Sequence, residues 1–216
     1  MSGMFDDRED AGRKLGQALA KYAGKGAIVL AIPRGGVEVG CEVARRLKAD
    51  FSIIVARKLP LPSDPEAGFG AIAEDGSTFI VGHAAAWIGE EEIERIKQEQ
   101  KQEIRRRIKV LRKGRPLPDI KGRTVILVDD GIAMGSTMRA SIALARRKGA
   151  GKVVVAVPVT GPETAEEIGS LADEIVVLEV PRFFRAVAQA YRNWYDVSDE
   201  EVIALLERCE RDKDWS

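Results

Sequence analysis

An apolar, β-branched segment that ends in two adjacent carboxylates is the feature that most constrains this chain. The segment covers 124–128, Asp129 and Asp130 follow it, and a loop of small and hydroxyl residues leads into a helical pattern that begins at Ser136. The backbone N–H groups of such a loop, at a helix N-terminus, favour a phosphate. The two acids can accept hydrogen bonds from the vicinal hydroxyls of a ribose. The joint therefore predicts a ribose 5-phosphate site at the carboxyl end of a strand.

The stretch 124–137 resembles the phosphoribosyl diphosphate (PRPP) signature of the type I phosphoribosyltransferases, which has an apolar strand, two acids, two variable residues and a small Thr/Gly/Ser loop. The resemblance implies that Asp129 and Asp130 bind the ribose hydroxyls. It also implies that the loop binds the 5-phosphate; its residues are Ala133, Met134, Gly135, Ser136 and Thr137. The alternative is an ordinary strand–turn–helix joint in which the acids cap the helix.

A second loop, Ile32-Pro33-Arg34-Gly35-Gly36, follows an apolar strand pattern and precedes a helical one. Its two glycines allow the backbone to approach an anion closely. Arg34 can donate two hydrogen bonds to a phosphate. The loop resembles the diphosphate loop of the same family, which implies that Arg34, Gly35 and Gly36 bind the diphosphate. The alternative is a tight turn with a surface arginine.

Two cations, Arg57 and Lys58, follow the next apolar run and precede the proline-rich segment 59–65, which we predict to be neither helix nor strand. We expect both cations to face the same cleft, and the resemblance implies that they bind the diphosphate. Lys58 and Arg34 are therefore predicted to be catalytic, together with the two acids. The alternative is a pair of solvated charges.

Two positions depart from the family pattern. Met134 stands where the family usually has Thr, so one hydroxyl contact to the phosphate is missing. Ala133 stands where members that act on 6-oxopurines often have Asp, so a proton acceptor must come from elsewhere. The second departure counts against hypoxanthine–guanine salvage.

Short apolar runs alternate with helical patterns along the chain, which predicts a mostly parallel sheet with helices on both faces. The predicted strands are 27–32, 51–56, 125–128, 153–157 and 175–180, with a hairpin at 68–73 and 78–81. The predicted helices are 10–22, 37–47, 90–113, 136–148, 163–171 and one that begins after Ser198. Ligands bind at the carboxyl ends of strands in such sheets, where each motif lies.

A single type I phosphoribosyltransferase-like α/β domain over 1–216 suits the length of the chain. The family covers its nucleobase with a small hood, which we expect in 181–216, with the N-terminal residues as further candidates. Aromatic side chains in this segment could stack on a base or pack the hood itself. They are Phe183, Phe184, Tyr191, Trp194 and Tyr195.

Charge and composition narrow the function further. Lys plus Arg and Asp plus Glu number 34 each, so the net charge is zero, which argues against broad binding of nucleic acid. We interpret Arg105-Arg106-Arg107 as a solvated helix face. There is no apolar run of membrane-spanning length and no signal-like start, and Cys41 and Cys209 are expected to be free thiols in a reducing compartment. We therefore expect a cytoplasmic protein that binds neither nucleic acid nor membrane.

The resemblance implies a PRPP-dependent pentosyltransferase that transfers phosphoribose to a nitrogenous base, or runs the reverse pyrophosphorolysis. The implied cofactor is Mg²⁺, held mainly by the substrate and through water by Asp129 and Asp130. The expected partners are PRPP, a base or nucleotide, and a second copy in a homodimer. One alternative is a non-catalytic regulatory protein that binds PRPP or a nucleotide. Another, a dinucleotide-binding oxidoreductase, is weak because Gly35, Gly36 and Gly40 lack the required spacing.

Overall fold

The structure, a computed structural model, describes residues 4–211 and contains two sheets. The strands are β1 (Ile28–Ala31), β2 (Asp50–Ile53), β3 (Ala56–Leu61), β4 (Asp64–Ala73), β5 (Thr78–Ile80), β6 (Thr124–Val128), β7 (Lys152–Val159) and β8 (Glu174–Glu179). The helices are α1 (Arg8–Ala18), α2 (Gly36–Leu47), α3 (Gly82–Ala85), α4 (Glu90–Leu111), α5 (Ser136–Arg147), α6 (Pro162–Leu171) and α7 (Asp199–Arg211). Short 3₁₀ turns lie at Ala20–Tyr22 and Val187–Ala190.

The larger sheet is entirely parallel, with the order β2-β1-β6-β7-β8. Alternate residues of a strand point to opposite faces, so Leu127 packs with α5 and α6 on one face. Ile126 and Val128 pack with α1 and α2 on the other face. The predicted parallel sheet with helices on both faces is confirmed, and the apolar strands are continuous runs because both faces are buried.

The smaller sheet is antiparallel, with the order β3-β4-β5, and packs against α4. The predicted hairpin is confirmed, but the prediction that 59–65 forms no strand is wrong, because β3 includes Pro60 and β4 includes Pro65. β3 is an edge strand, and Pro60 sits at a register shift. Pro65 precedes the part of β4 that pairs with β5. Prolines are tolerated at such positions because no partner strand needs their N–H.

Other boundaries agree with the sequence to within a few residues. The predicted strand 51–56 is divided between β2 and β3, and the first helix ends at Ala18, before a 3₁₀ turn. The last helix begins directly after Ser198 as predicted, and Ser198 and Glu201 exchange side-chain to backbone hydrogen bonds there. Across residues 4–211, every helix is too short or too polar to cross a bilayer.

Cys41 of α2 and Cys209 of α7 form a disulfide bond across 168 residues of chain. The expectation of two free thiols is therefore wrong, and the argument from free thiols to a reducing compartment no longer applies. Sequence distance hid the pairing, because only the packing of α7 against α2 brings the two sulfurs together. The bond ties the last helix to the helix that begins at the second loop.

Candidate functional site

The two predicted loops meet at the carboxyl ends of the adjacent strands β1 and β6. A Cβ on Gly35 would lie 1.9 Å from Oδ2 of Asp130, and one on Gly36 would lie 2.9 Å from Oδ1 of Asp129. Any side chain at either glycine would therefore collide with a carboxylate or displace it. The peptide bond that precedes Arg34 in this loop is cis. In this structure the glycines make room for the acids of the protein itself.

Asp130 is held by the chain termini rather than left open to the cleft. Its Oδ2 accepts a hydrogen bond of 2.8 Å from Nε of Arg8, and its main-chain oxygen accepts one of 2.5 Å from the Tyr191 hydroxyl. Burial raises the pKa of the Asp130 carboxyl, and the guanidinium of Arg8 opposes that rise. Arg8 therefore stabilises the ionised form of one of the two predicted ribose-binding acids.

Arg8 was not identified as a functional residue from the sequence, and it lies 122 positions from Asp130. Its side chain is 3% exposed, lies 4.0 Å above the ring of Trp194, and donates to the main-chain oxygen of Tyr195. The Tyr195 hydroxyl in turn donates to Glu38 on α2, and burial raises the pKa of that carboxyl. The only local signal was the polar start of the first helix, which gives no indication of these distant partners.

Asp129 faces the cleft. Burial raises the pKa of its carboxyl well above the ordinary 3.8, and the neighbouring charge of Asp130 raises it further. The Asp130 backbone N–H donates to Oδ1 of Asp129 at 2.8 Å and partly offsets the rise. A ligand that donates hydrogen bonds to Asp129 would therefore stabilise the ionised form of its carboxyl.

The loop after the acids turns its carbonyl groups toward the protein. The Thr160 hydroxyl donates to the oxygen of Ile132, the Thr164 hydroxyl to that of Ala133, and Arg139 to that of Met134. Among residues 4–211, the backbone N–H groups of positions 133–138 have no hydrogen-bond acceptor. Free N–H donors at the start of a helix are an arrangement that favours an anion, and the 5-phosphate role of this loop stays a prediction. Thr160 and Thr164 could not be foreseen from local patterns, because they lie 28 and 31 residues from the carbonyls they support, whereas Arg139 lies in the helix that follows the loop.

A cleft of about 410 Å³ opens over this loop, which is within the usual range for small-ligand sites. Its walls bring together Lys58 and Gly68 of the antiparallel sheet, Asp129 of the parallel sheet, and Val187 of the C-terminal segment. Loop residues complete it, namely Gly131, Ile132, Ala133, Met134, Gly135, Ser136, Thr137 and Met138. All five predicted 5-phosphate residues and one predicted acid therefore share one cavity with a lysine.

Arg57 and Lys58 do not share this cleft, contrary to the prediction that both would face it. Neighbouring residues of a strand point to opposite faces, so Lys58 lines the cleft and Arg57 reaches α4, where its Nε donates to Gln100 at 3.2 Å. Arg57 lies there with Arg106 and Arg107 of α4, and with Arg34 of the second loop. The predicted strand ended at residue 56, so neither the alternation of Arg57 and Lys58 nor the position of α4 was predicted.

The predicted hood residues divide into two groups. Tyr191 is buried and stacks with Phe5 and Trp194, at ring-centroid distances of 5.6 and 5.4 Å. Phe183 is 93% exposed, and Phe184 packs beside Gly161. The aromatic residues at 191–195 thus pack against the N-terminal segment, which agrees with the packing alternative, and Phe183 remains available to a ligand.

The two acids are the residues of this site that could contact a magnesium ion. Among the described side chains of residues 4–65 and 67–211, there is no group of three or more Asp, Glu, His or Cys side chains that could hold a metal. Asp129 and Asp130 offer carboxylate oxygens, and Mg²⁺ in nucleotide sites uses one or two carboxylates, substrate oxygens and water. The residues present therefore fit this role.

Comparison with known proteins agrees with the geometry. The family model described as "Phosphoribosyl transferase domain" matches residues 6–192. A Mycobacterium tuberculosis protein named "Putative phosphoribosyl transferase" is 43% identical over 211 residues, which are 97% of this chain and 48% of that protein. The chain thus spans about half the length of the curated relatives it matches. The crystal structure of TT1426 from Thermus thermophilus is 39% identical and superposes with a TM-score of 0.80, over 96% of this chain and 99% of that one.

Proposed function

Because this chain belongs to the phosphoribosyl transferase domain family, we propose that it binds Mg-PRPP and transfers the phosphoribosyl group to a nitrogenous base. The observation that carries the proposal is the shared cleft. One cavity brings together the backbone N–H groups of 133–138, the carboxylate of Asp129 and the cation of Lys58. These are groups that a ribose carrying a 5-phosphate and a diphosphate would require.

In this proposal the backbone N–H groups of 133–137 bind the 5-phosphate, with the hydroxyls of Ser136 and Thr137. Asp129 accepts hydrogen bonds from the ribose hydroxyls, and Asp130 is the second acid, in a position fixed by Arg8. Magnesium, carried on the substrate and contacted by the two acids through water, would neutralise charge on the diphosphate.

The reaction breaks the bond between the anomeric carbon and the diphosphate oxygen and forms a bond to a base nitrogen, which loses its proton. Positive charge develops on the ribose and negative charge on the diphosphate. The protein contributes positioning and charge stabilisation. Lys58 and Arg34 are the cations proposed to stabilise the departing diphosphate, with the N–H groups of Gly35 and Gly36.

Substitution of the acids tests PRPP binding. Asp129→Asn replaces a charged acceptor, and we expect a loss of about 1.5–3 kcal/mol in PRPP binding free energy, the usual value for such a hydrogen bond. Asp130→Asn should lose a similar amount. Asp196→Asn is the matched control, because Asp196 is exposed and lies outside the cleft. Unchanged PRPP affinity in folded Asp129→Asn, measured by calorimetry, would exclude the proposed ribose site.

The second candidate is a non-catalytic protein that binds PRPP or a nucleotide. The contact between Arg8 and Asp130 favours it, because one of the two acids is already engaged within the protein. Calorimetry with PRPP cannot separate the two functions. A measurement of diphosphate release with a panel of purine, pyrimidine and other nitrogenous acceptors separates them. An enzyme releases diphosphate with at least one acceptor, and Asp129→Asn abolishes that release.

A further inference from the structure

Four arginine side chains gather beside the second loop. Arg34 belongs to that loop, Arg57 to β3, and Arg106 and Arg107 to α4; we call them the arginine cluster. The pKa of Arg57 is lowered, first by burial and then by the positive charges that include those of Arg107, Arg34 and Arg106. The contacts place Arg57 on the same part of α4: its Nε donates to Gln100, three residues before Glu103, and Glu103 pairs with both Arg106 and Arg107. The interpretation of 105–107 as a solvated face is wrong for Arg107, which is buried.

Two carboxylates compensate this charge only in part. Glu103 accepts from Arg106 at 2.7 Å and from Arg107 at 3.0 Å. Asp199, from the first turn of α7, accepts from Arg106 at 3.0 Å. Among the described side chains of residues 4–65 and 67–211, no other carboxylate forms an ion pair with the cluster. Within these residues, four positive charges thus face two negative ones.

Asp199 is an imperfect partner for this cluster. Its Oδ1 is buried, has no hydrogen-bond partner within the described part of the chain, and lies 3.9 Å from Nη1 of Arg34. That distance is too long for a hydrogen bond, and a buried acceptor without a donor is costly. An anion with more oxygen atoms could satisfy both Arg34 and Arg106, since a guanidinium can donate two parallel bonds to a phosphate.

The position of Asp199 is fixed from the far end of its helix. The disulfide between Cys41 and Cys209 joins α7 to α2, and α2 begins at Gly36 of the second loop. The bond therefore joins the helix that carries Asp199 to the helix that follows Arg34.

We propose that the arginine cluster is one diphosphate subsite, and that Asp199 occupies it until a diphosphate group displaces the carboxylate from Arg34 and Arg106. This inference rests on the proposed function, in which diphosphate is the leaving group. A diphosphate matches the uncompensated positive charge and has enough oxygen atoms to bridge the loop and α4. Competition from Asp199 weakens diphosphate binding and so favours release of the product.

Neutralising the α4 arginines tests the cluster. We expect Arg106→Gln and Arg107→Gln each to weaken binding of inorganic diphosphate at least about tenfold in calorimetry on the full chain, the loss of one charged hydrogen bond. Arg105→Gln is the control, because Arg105 is exposed and one residue away; it should change the affinity less than about twofold. Because Arg107 is buried, a thermal melt checks that Arg107→Gln still folds. If it unfolds, Arg107→Lys, which keeps the positive charge, is measured in its place. Equal affinities for Arg105→Gln and Arg106→Gln would overturn the proposal.

Removing the competing carboxylate should have the opposite effect. We expect Asp199→Asn to tighten diphosphate binding about three- to tenfold, because the cluster gains one uncompensated charge. Glu200→Gln removes the same charge from the exposed neighbouring position and should change the affinity less than about twofold. Unchanged or weaker binding by Asp199→Asn would overturn the competition. The affinity of Asp199→Asn for inorganic phosphate should increase less than its affinity for diphosphate. An equal increase for both anions would mean that the cluster is an unspecific anion site and would overturn the proposal.

Ribose 5-phosphate separates this inference from the proposed function, because it needs the loop at 133–137 and not the cluster. If diphosphate responds as expected while neither ribose 5-phosphate nor PRPP binds, the subsite stands and the proposed function fails. If both sugar phosphates bind while Arg106→Gln and Asp199→Asn leave diphosphate affinity unchanged, the proposed function stands and the subsite fails.

Discussion

The strand-end loops (33–36 and 129–137) and the hairpin region (56–111) line the same cleft but are held in place differently. The loops follow directly from parallel strands, and hydrogen bonds made by their backbone groups hold them: the N–H of Ile132 donates to the oxygen of Val159, and the Thr160 hydroxyl donates to the oxygen of Ile132. The hairpin region shares no strand pairing with the parallel sheet. Side chains attach it instead: Phe69 and Ile72 pack with Ile53 of the parallel sheet in one buried cluster, and buried ionic contacts add to this packing.

One attachment is a buried ion pair. Arg112, just after α4, bonds in a bidentate manner to Glu74 after β4, and its Nη1 also donates to the oxygen of Ile53 at 3.1 Å. Glu74 also accepts from the backbone N–H of Val55 at 3.0 Å. Both side chains of the pair are buried. This pair joins the hairpin, the long helix and the edge of the parallel sheet.

Breaking this pair should have the largest effect on stability. Glu74→Ala leaves the Arg112 guanidinium buried without its counter-ion, and we expect the free energy of unfolding to fall by about 3–5 kcal/mol. Urea denaturation measures it. Glu207→Ala is the control, because its ion pair with Lys113 is exposed and should contribute only about 0–1 kcal/mol. A loss in Glu74→Ala as small as in the control would show that the hairpin region is attached by other contacts.

The disulfide should have the next largest effect. Reduction of the bond between Cys41 and Cys209, or Cys209→Ser, should lower the free energy of unfolding by about 2–4 kcal/mol, because the bond closes a long loop in the unfolded chain. Urea denaturation with and without a reducing agent measures the loss. Cys209→Ser should not respond to the reducing agent. A wild-type protein that also does not respond would contain free thiols, as the sequence interpretation expected.

The strand-end loops were predictable because their information is local. Strand β6, the acids, the phosphate loop and the start of α5 follow one another without interruption, and the structure places them in that order. Lys58 in the same cleft was also foreseen, as a cation at the end of a strand. What stays a prediction is the role of each residue.

The hairpin region was predictable only as separate elements. The helix α4 was predicted to within two residues of its observed end, and its residues Ile96, Ile104 and Leu111 are buried against the hairpin. That Arg107 would be buried beside Arg57 could not be foreseen, since it depends on how α4 lies across a sheet far away in sequence. The same holds for Arg8 and Asp130. Local patterns identify elements, and contacts between distant charged side chains require the fold.

Asp129 offers a sharper test of the strand-end loops, because function and stability should oppose each other there. Its pKa is raised above 3.8 in the folded protein, so the protonated form is favoured by folding. The stabilisation of the folded protein by protonated Asp129 is complete below pH 3.8. It is lost as the pH rises through the pKa that Asp129 has in the folded protein.

Asp129→Asn should therefore raise the free energy of unfolding at about pH 7.5 relative to wild type, by about 1.4 kcal/mol for each unit of pKa displacement, with a smaller gain near about pH 4. Asp130→Asn should give no such gain, because it loses the ion pair with Arg8. Urea denaturation at both pH values measures the differences. An Asp129→Asn protein that is less stable than wild type at the higher pH would mean that its charge is compensated.

Met134→Thr should have the smallest effect and concerns only the phosphate loop. The Met134 side chain is 79% exposed, and its carbonyl is held by Nη1 of Arg139 at 2.7 Å, so the substitution should leave the backbone in place. A threonine hydroxyl could donate one further hydrogen bond to the phosphate. We expect ribose 5-phosphate to bind more tightly by about 0.5–1.5 kcal/mol, the net value of one such bond. Calorimetry measures the change.

Met134→Val has the shape of threonine without the hydroxyl, so an equal gain in both variants would assign the effect to side-chain shape. No gain in either would mean that the N–H groups of 133–138 already satisfy the phosphate, and that this loop, unlike the hairpin region, depends on its backbone alone.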